Sequence, residues 1–435
     1  MINRSKTSIC LFSSLLTFLI LLVSCSKTEE IGWPRWRGPN GDGISTETDW
    51  DPEALSEGPK ILWKVNVGMG HSNFAIKDNR LYTMGKKERK AVIYCLNANT
   101  GTKIWQKPLE KSVADLNTTP TIAGKYLYAL SSEGVLYCLK SKNGKVQWKR
   151  DLISEYDVVK PKYGFGGSPV IEGDLVILNL NLSGIAFEKN NGTKVWISEK
   201  YHPSNICPQD KNMASYATPV LFDWEGKRCA LMYHCTGLYS VDVQTGQQLW
   251  YFEFMATGAK AADPIFFENK IFISTGYIRA RCVLIEITEN NPQVLWENEN
   301  MKNEFSACVY IDGYLYGSDG DHGQLCPLRC IDVKTGDALW EKKMKMASLM
   351  AADDKLIILE EDGILHIAEA MPTGYQEISS CDVLEGEQKL RRFYAPPILY
   401  NARIYCRSYA GDLLCIDVSK NPRKAESDFL KLNVP

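Results

Sequence analysis

Residues Tyr94 to Trp105 read YCLNANTGTKIW, and close variants of that line recur along the chain. Tyr137 to Trp148 read YCLKSKNGKVQW, Tyr239 to Trp250 read YSVDVQTGQQLW, Arg329 to Trp340 read RCIDVKTGDALW, and Ile185 to Trp196 read IAFEKNNGTKVW. A looser copy runs from Leu284 to Trp296, with Asn290-Asn291-Pro292 in place of Thr-Gly. Trp63, Trp105, Trp148, Trp196, Trp250, Trp296 and Trp340 therefore follow one another at steps of 42, 43, 48, 54, 46 and 44 residues. A period of about 40 to 50 residues fits one four-stranded propeller blade.

Each part of the unit has a physical reason. Alternating apolar residues such as Val92, Tyr94 and Leu96 make a strand with one face in the core. A slim residue (Cys95, Cys138, Ala186, Ser240, Cys330 or Cys415) leaves room where neighbouring sheets approach. Asn97, Asp242 and Asp332 stand four residues before Gly101, Gly246 and Gly336, so their side chains can bind the turn while glycine supplies positive φ. The tryptophan that follows is a large apolar body suited to wedging between blades. Pro120, Pro169, Pro219, Pro264 and Pro397 mark inner-strand starts, where a missing N–H costs no ladder bond.

Six units close on a tryptophan. A seventh, Ala347 to Leu384, has Tyr375-Gln376-Glu377-Ile378 where the tryptophan would stand, and an eighth, Tyr394 to Val418, stops after three strands. Lys60 to Val65, KILWKV, resembles the outer strand that the eighth lacks. Supplying it would close the ring and leave no open sheet edge. The expected fold is all-β, a single eight-bladed propeller of four-stranded antiparallel blades closed by an N-terminal strand.

Ahead of the repeats, Arg4 and Lys6 precede an apolar run from Ile9 to Val23 that ends in Leu22-Val23-Ser24-Cys25. A charged start and a short apolar core read as a secretory signal, too short for a comfortable membrane span. The small residue before cysteine resembles the bacterial lipobox, which implies lipidation of Cys25 and cleavage before it. The expected division is 1–24 signal peptide, 25–59 lipid-anchored tether and N-terminal segment, 60–421 propeller and 422–435 C-terminal tail. Cleavage takes the formal charge from −2 to −4, and there is no dense Lys/Arg stripe, so nucleic acid is not an expected partner. The chain has fourteen cysteines, yet those at equivalent blade positions are too far apart to pair. Cys326 with Cys330 and Cys229 with Cys235 remain candidate local pairs.

The slim residue, aliphatic, Asp/Asn, Thr-Gly or Asn-Gly turn and closing Trp resemble the PQQ-type quinoprotein repeat over nearly all of Lys60 to Val418. Trp33-Pro34-Arg35-Trp36-Arg37-Gly38-Pro39-Asn40, with Gly41-Asp42-Gly43, is similar to the opening segment of exported PQQ-like repeat proteins. Within that superfamily the chain resembles the BamB lipoprotein family of the β-barrel assembly machinery. The quinoprotein dehydrogenase branch implies pyrroloquinoline quinone held between a tryptophan and a disulfide of adjacent cysteines, with calcium beside it and a Glu, an Asn and Asp residues serving metal and base roles. This chain has no adjacent Cys-Cys pair and no CxxCH haem site. Fold ancestry alone does not supply that chemistry, so neither quinone nor calcium is an expected cofactor.

Other chemistry is thin. His71, His202, His234, His322 and His366 fall on different blades, which is poor material for zinc. Asp319 and Asp321 in SDGDHG loosely resemble a calcium loop without its closing Glu, and a hairpin tip explains them as well. Gly164-Phe165-Gly166-Gly167 has no helix after it and reads as a turn into blade 3, not a phosphate loop. Asp210, Lys211, Asn212, Tyr216, Asp263, Tyr277, Arg279, Arg281, Arg391, Arg392 and Tyr394 lie near inner-strand starts, where a propeller exposes a binding face. The longest insertions, Ser198 to Ala217 and Gly276 to Arg281, are candidate partner surfaces. No catalytic residue is assigned. The resulting expectation is a scaffold that binds proteins or peptides, on the periplasmic side of the outer membrane because Ser26 follows the cysteine, with the β-barrel assembly machinery as the implied partner. A quinoprotein alcohol or sugar dehydrogenase with a divergent site is the alternative, and a carbohydrate-binding or carbohydrate-processing propeller the second.

Overall fold

The computed structural model describes residues 32–156, 158–180, 184–198, 215–234, 236–255, 260–276, 280–289, 291–320, 325–384 and 392–420. Cys25, the signal region and the tail after Lys420 lie outside them. Within them the chain forms eight four-stranded antiparallel blades in the order the repeats dictate, two of them widened by a short fifth strand from the N-terminal segment. Blade 1 consists of Ala75–Lys77, Arg80–Lys87, Lys90–Asn97 and Lys103–Lys111. Blades 2 to 7 begin with the inner strands Thr121–Ala123, Val170–Glu172, Val220–Trp224, Ile265–Phe267, Val309–Ile311 and Ala347–Ala352. Blade 8 joins Ile398–Leu399, Arg403–Arg407 and Asp412–Asp417 to Ile61–Asn66, the N-terminal closing strand read from the sequence. The expected prolines directly precede the inner strands of blades 2, 3, 4, 5 and 8. Outside the strands, Leu152–Tyr156 makes one short helix. Its first amides are capped by Asp151 Oδ1, while Glu155 accepts from the Asp151 N–H.

The repeat line maps onto one joint between blades. The slim residue lies opposite the tryptophan on the outer strand, as in Cys95 to Trp105, Ala186 to Trp196 and Cys330 to Trp340, and a register shift follows each pair. Each indole then crosses to the next blade. Trp63 Nε1 donates to Ala98 O at 3.0 Å, Trp105 to Ser141 O at 2.9 Å, Trp148 to Lys189 O at 3.0 Å and Trp196 to Val243 O at 2.8 Å. Trp296 reaches Val333 O at 2.7 Å and Trp340 reaches Met371 O at 2.9 Å.

In five of these joints the ring packs on the glycine of the turn that receives it, from Trp63 on Gly101 to Trp296 on Gly336, while Gly374 leaves Trp340 without such a contact. A Cβ on Gly246, whose φ is 72°, would stand 2.5 Å from Trp196 Cδ2. Glycine is thus required twice there, for its φ and for the contact. The Asp and Asn of the turn act as expected: Asp242 Oδ1 accepts from the Gln244 and Thr245 N–H groups, and Asn97 Oδ1 from Asn99 and Thr100. Trp250 is the exception, because the receiving hairpin in blade 5 lacks Thr-Gly and its indole N–H has no partner among the described residues.

The candidate disulfides are not formed. Cys330 is a free thiol opposite Trp340 on the strand Leu328–Asp332. Cys229 is likewise free, and Cys235 lies outside the described residues.

Residues 32–59, placed before the propeller by the sequence, are built into it. Gly32–Trp33 pairs with the inner strand of blade 1, and Ile44–Ser45 pairs in parallel with that of blade 7. Farther along, Trp50 and Leu55 are fully buried in the core that joins blades 7, 8 and 1. Blade 7 needs them. Ser379, opposite Ile367 beside its register shift, holds the slot that tryptophan fills elsewhere.

Candidate functional site

Residues 32–47 form a hairpin inserted into the central channel. It enters beside Lys77, where blade 1 turns from its first strand to its second, and leaves past Ala352 at the corresponding corner of blade 7. On the way Pro34 O accepts from the Ile122 N–H of blade 2. Arg37, buried, donates to Ala307 O and Cys308 O at the start of blade 6 and back to Gly41 O and Asp42 O within the hairpin. Gly38 allows the bend, since its φ is 80° and a Cβ would meet the Trp33 ring at 2.9 Å. Glu47 finally accepts from Asn401 N and Ala402 N at the corresponding corner of blade 8. One end of the channel is thereby filled by the chain's own N-terminal segment.

The other end opens into a funnel of about 1230 Å3. Trp36, at the hairpin's tip, contributes to its floor. Its indole N–H donates to Asp263 Oδ2 at 2.5 Å, and Asp263 Oδ1 accepts from the Thr218 N–H at 2.7 Å, so this carboxylate clips the hairpin to blades 4 and 5. Burial raises the Asp263 pKa, opposed by Arg37 and these two donors.

The walls come from segments leading into the inner strands. Tyr163 and Tyr216 have ring centroids 6.3 Å apart on the side of blades 3 and 4. On another arc Tyr394 meets Phe305 edge-on at 5.6 Å, and His71 lies between Tyr394 at 5.2 Å and Tyr409 at 4.9 Å. Burial lowers the His71 pKa to about 4, leaving it neutral near pH 7. Tyr409 donates its hydroxyl to Asp115 Oδ2 at 2.7 Å, and Lys86 Nζ lies 2.5 Å from Asp115 Oδ1. Burial would raise the Asp115 pKa, but Lys86 and Tyr409 outweigh it and the net shift is downward.

Of the residues singled out in the sequence, Tyr216, Asp263, Arg392 and Tyr394 do converge on this funnel. Arg281 does not: it lies over the Phe254 ring at 4.3 Å and bonds Glu297 at 2.7 Å. Asp210, Lys211, Asn212, Tyr277, Arg279 and Arg391 lie outside the described residues. Asp319, the calcium candidate, has Oδ2 on Arg329 at 2.7 Å and Oδ1 on the Lys302 N–H at 2.7 Å, and Asp321 lies outside the described residues. Asp319 thus serves an ion pair inside blade 6.

Sequence reasoning missed Trp36, His71, Asp115, Tyr163, Phe305 and Tyr409. The signal for Trp36 was its place in the WPRWRGP segment, which carries no repeat pattern of its own.

Two features of the funnel bear on a quinone with calcium. Trp36 could offer one ring face, but the chain has no adjacent cysteines to cover the other, and both oxygens of Asp115 and of Asp263 are held by protein donors.

Comparison with known proteins agrees with this geometry. BamB of Escherichia coli K12 is 23% identical over 370 residues, covering 71% of this chain and 88% of that protein. BamB of Yersinia pestis is 23% identical over 321 residues, covering 72% and 75%. Among solved structures, BamB from Moraxella catarrhalis superposes with a TM-score of 0.59 at 15% identity, covering 82% of this chain and 99% of that one. Quinohemoprotein alcohol dehydrogenase from Comamonas testosteroni superposes with a TM-score of 0.65 at 11% identity, covering 89% and 80%, which shows a shared fold alone. The family model described as outer membrane protein assembly factor BamB matches residues 54–155 and 89–342, more than half of the chain, and the chain belongs to that family of PQQ-like propellers.

Proposed function

We propose that the chain is a lipoprotein of the outer membrane, anchored through Cys25 on the periplasmic side, that binds protein or peptide segments as a scaffold in outer-membrane protein assembly. Family membership supports the setting, and the observation that carries the reading is the asymmetry of the channel. One end is filled by residues 32–47, and the other presents an open face ringed by loops. Around that face Val113 is 76% exposed, Leu325 71% and Tyr163 55%, apolar surface of the kind used for partners.

The anchor fits this polarity. Six residues lie between Cys25 and Gly32, and seven extended steps reach about 25 Å at most. A lipid on Cys25 would tether the propeller through Gly32, which pairs with Lys77 on the filled end.

Photo-crosslinking in cells tests the reading, with the crosslinker at Val113 on the open face or at Thr373 in an exposed turn at the filled end. Capture of outer-membrane assembly components from Val113 and not from Thr373 is expected. Capture only from Thr373, or of no envelope assembly component, would overturn the scaffold reading. Mass spectrometry showing an unmodified Cys25 would remove the anchor.

A further inference from the structure

The funnel interior combines aromatic walls with polar and charged groups. Several polar atoms of its rings are bonded to the protein itself. The Trp36 N–H is on Asp263, the Tyr409 hydroxyl is on Asp115, the Tyr394 hydroxyl accepts from Arg392 Nη1 at 3.3 Å, and the Tyr216 hydroxyl accepts from the Tyr163 N–H at 3.4 Å. What these rings offer a ligand is carbon surface, together with the hydroxyl protons of Tyr394 and Tyr216, whose oxygens only accept in those bonds. In a ring of eight, blade 4 stands opposite blade 8, so the Tyr216 pair and the Tyr394 cluster face each other across the floor.

Between them stand groups that hydrogen-bond. Asn117 holds its amide N–H on Tyr163 O at 2.8 Å, which leaves its amide oxygen turned to other donors, and Ser168 and Thr218 line the same wall. Charges among the described lining residues cancel: Lys86, Lys162 and Arg392 against Asp115, Asp263 and Glu304. A polyanion would demand a positive excess and a cationic ligand a negative one. The volume of about 1230 Å3 also exceeds the range of roughly 300 to 1,000 Å3 that suits one drug-sized molecule.

From these features together we infer that the funnel is a binding site for a neutral oligosaccharide of several pyranose rings, whose C–H faces stack on the aromatic walls and whose hydroxyls meet the amide, hydroxyl and charged groups between them. Pyranose rings suit this lining because they present apolar faces and polar edges in one flat body. The site shares Val113 and Tyr163 with the apolar surface that the scaffold role uses, and the titration reads sugar binding independently of partner capture.

Isothermal titration of the full mature protein tests the inference. Cellotetraose, maltotetraose and chitotetraose serve as neutral probes, tetragalacturonate as the anionic one, and a tyrosine-containing decapeptide as the peptide one. At least one neutral tetrasaccharide is expected to bind with Kd below about 1 mM. Tyr394→Ala and Tyr163→Ala should each weaken it roughly threefold to tenfold, at an unchanged melting temperature for Tyr163→Ala, whose ring is half exposed. The inference is overturned if no neutral probe binds below about 10 mM, if both variants bind as the parent does, or if the decapeptide or tetragalacturonate binds in preference.

Discussion

Seven of the eight joints between blades are wedged by a tryptophan from the repeat, and the joint between blades 7 and 8 is wedged by Trp50, which belongs to no repeat. In the regular joints the wedge is local to its blade: Trp196 pairs with Ala186 across the hairpin and reaches Val243 O in the next turn. At the exceptional joint the carbonyl at the same place, Val418 O, accepts instead from the Asp51 N–H at 2.7 Å, and Ser379 Oγ donates to Pro52 O at 2.5 Å. A volume that six neighbouring repeats fill for themselves is filled here by chain from before the ring. The ring is therefore closed twice by its N-terminal segment, once by the outer strand of blade 8 and once by this wedge.

If that comparison is right, truncating the borrowed wedge should do the most damage. Trp50 is 1% exposed, and Trp50→Ala should cost about 3 to 5 kcal/mol in denaturant unfolding, in the range for a large buried aromatic. Trp340→Ala, at a half-buried wedge, should cost less, and equal costs would mean that the borrowed wedge is not special. Next in size is the receiving turn. Gly246→Ala meets both a positive φ and the Trp196 ring and should lose about 2 to 3 kcal/mol. Gly173→Ala shares the positive φ, at 56°, but has open space around it, and should lose only about 1 kcal/mol.

The indole bond itself is a smaller matter. Trp196→Phe forfeits the bond to Val243 O, whereas Trp250→Phe forfeits none among the described residues, so their unfolding free energies should differ by about 1 kcal/mol. The smallest effect belongs to blade 7, where His366 is held between Glu360 and Glu377 at 2.8 Å each. Burial would lower its pKa, but the two carboxylates outweigh that and raise it. A histidine raised above its unfolded value of about 6.5 stabilises fully below that pH and loses the contribution as pH rises through the folded pKa. Stability measured from pH 6 upward should show that decline, and His366→Gln should flatten it. His71 works the other way: lowered to about 4, it makes stability fall as pH drops from about 6.5 toward 4.

The same comparison explains what could be read in the sequence. The blade count, the Asp and Gly of the turns, the prolines and the closing strand were legible because each repeats at a fixed distance from its partners. Trp50 and Trp36 were not, since their contacts lie far along the chain: Trp36 meets Asp263 across 227 residues. Position 50 has no periodic relation to the vacant slot at Ser379. The funnel was half legible. Tyr216, Asp263, Arg392 and Tyr394 could be found from their nearness to inner-strand starts, because every such start faces the channel mouth. Tyr163 and Phe305 share that property but sat in segments read as turns or left unmarked, and only closure of the ring brings them together.

Hydrogen exchange of the mature protein, followed peptide by peptide, asks whether residues 32–51 are part of the propeller. Their amides are bonded into the ring, as where Asp51 N meets Val418 O, or fold the hairpin on itself, as where Gly43 N meets Arg37 O. The expected result is protection in this segment that matches the inner strands of blades 7 and 8 and is lost only with global unfolding. Exchange of residues 32–51 within seconds, while the blades stay protected, would contradict it.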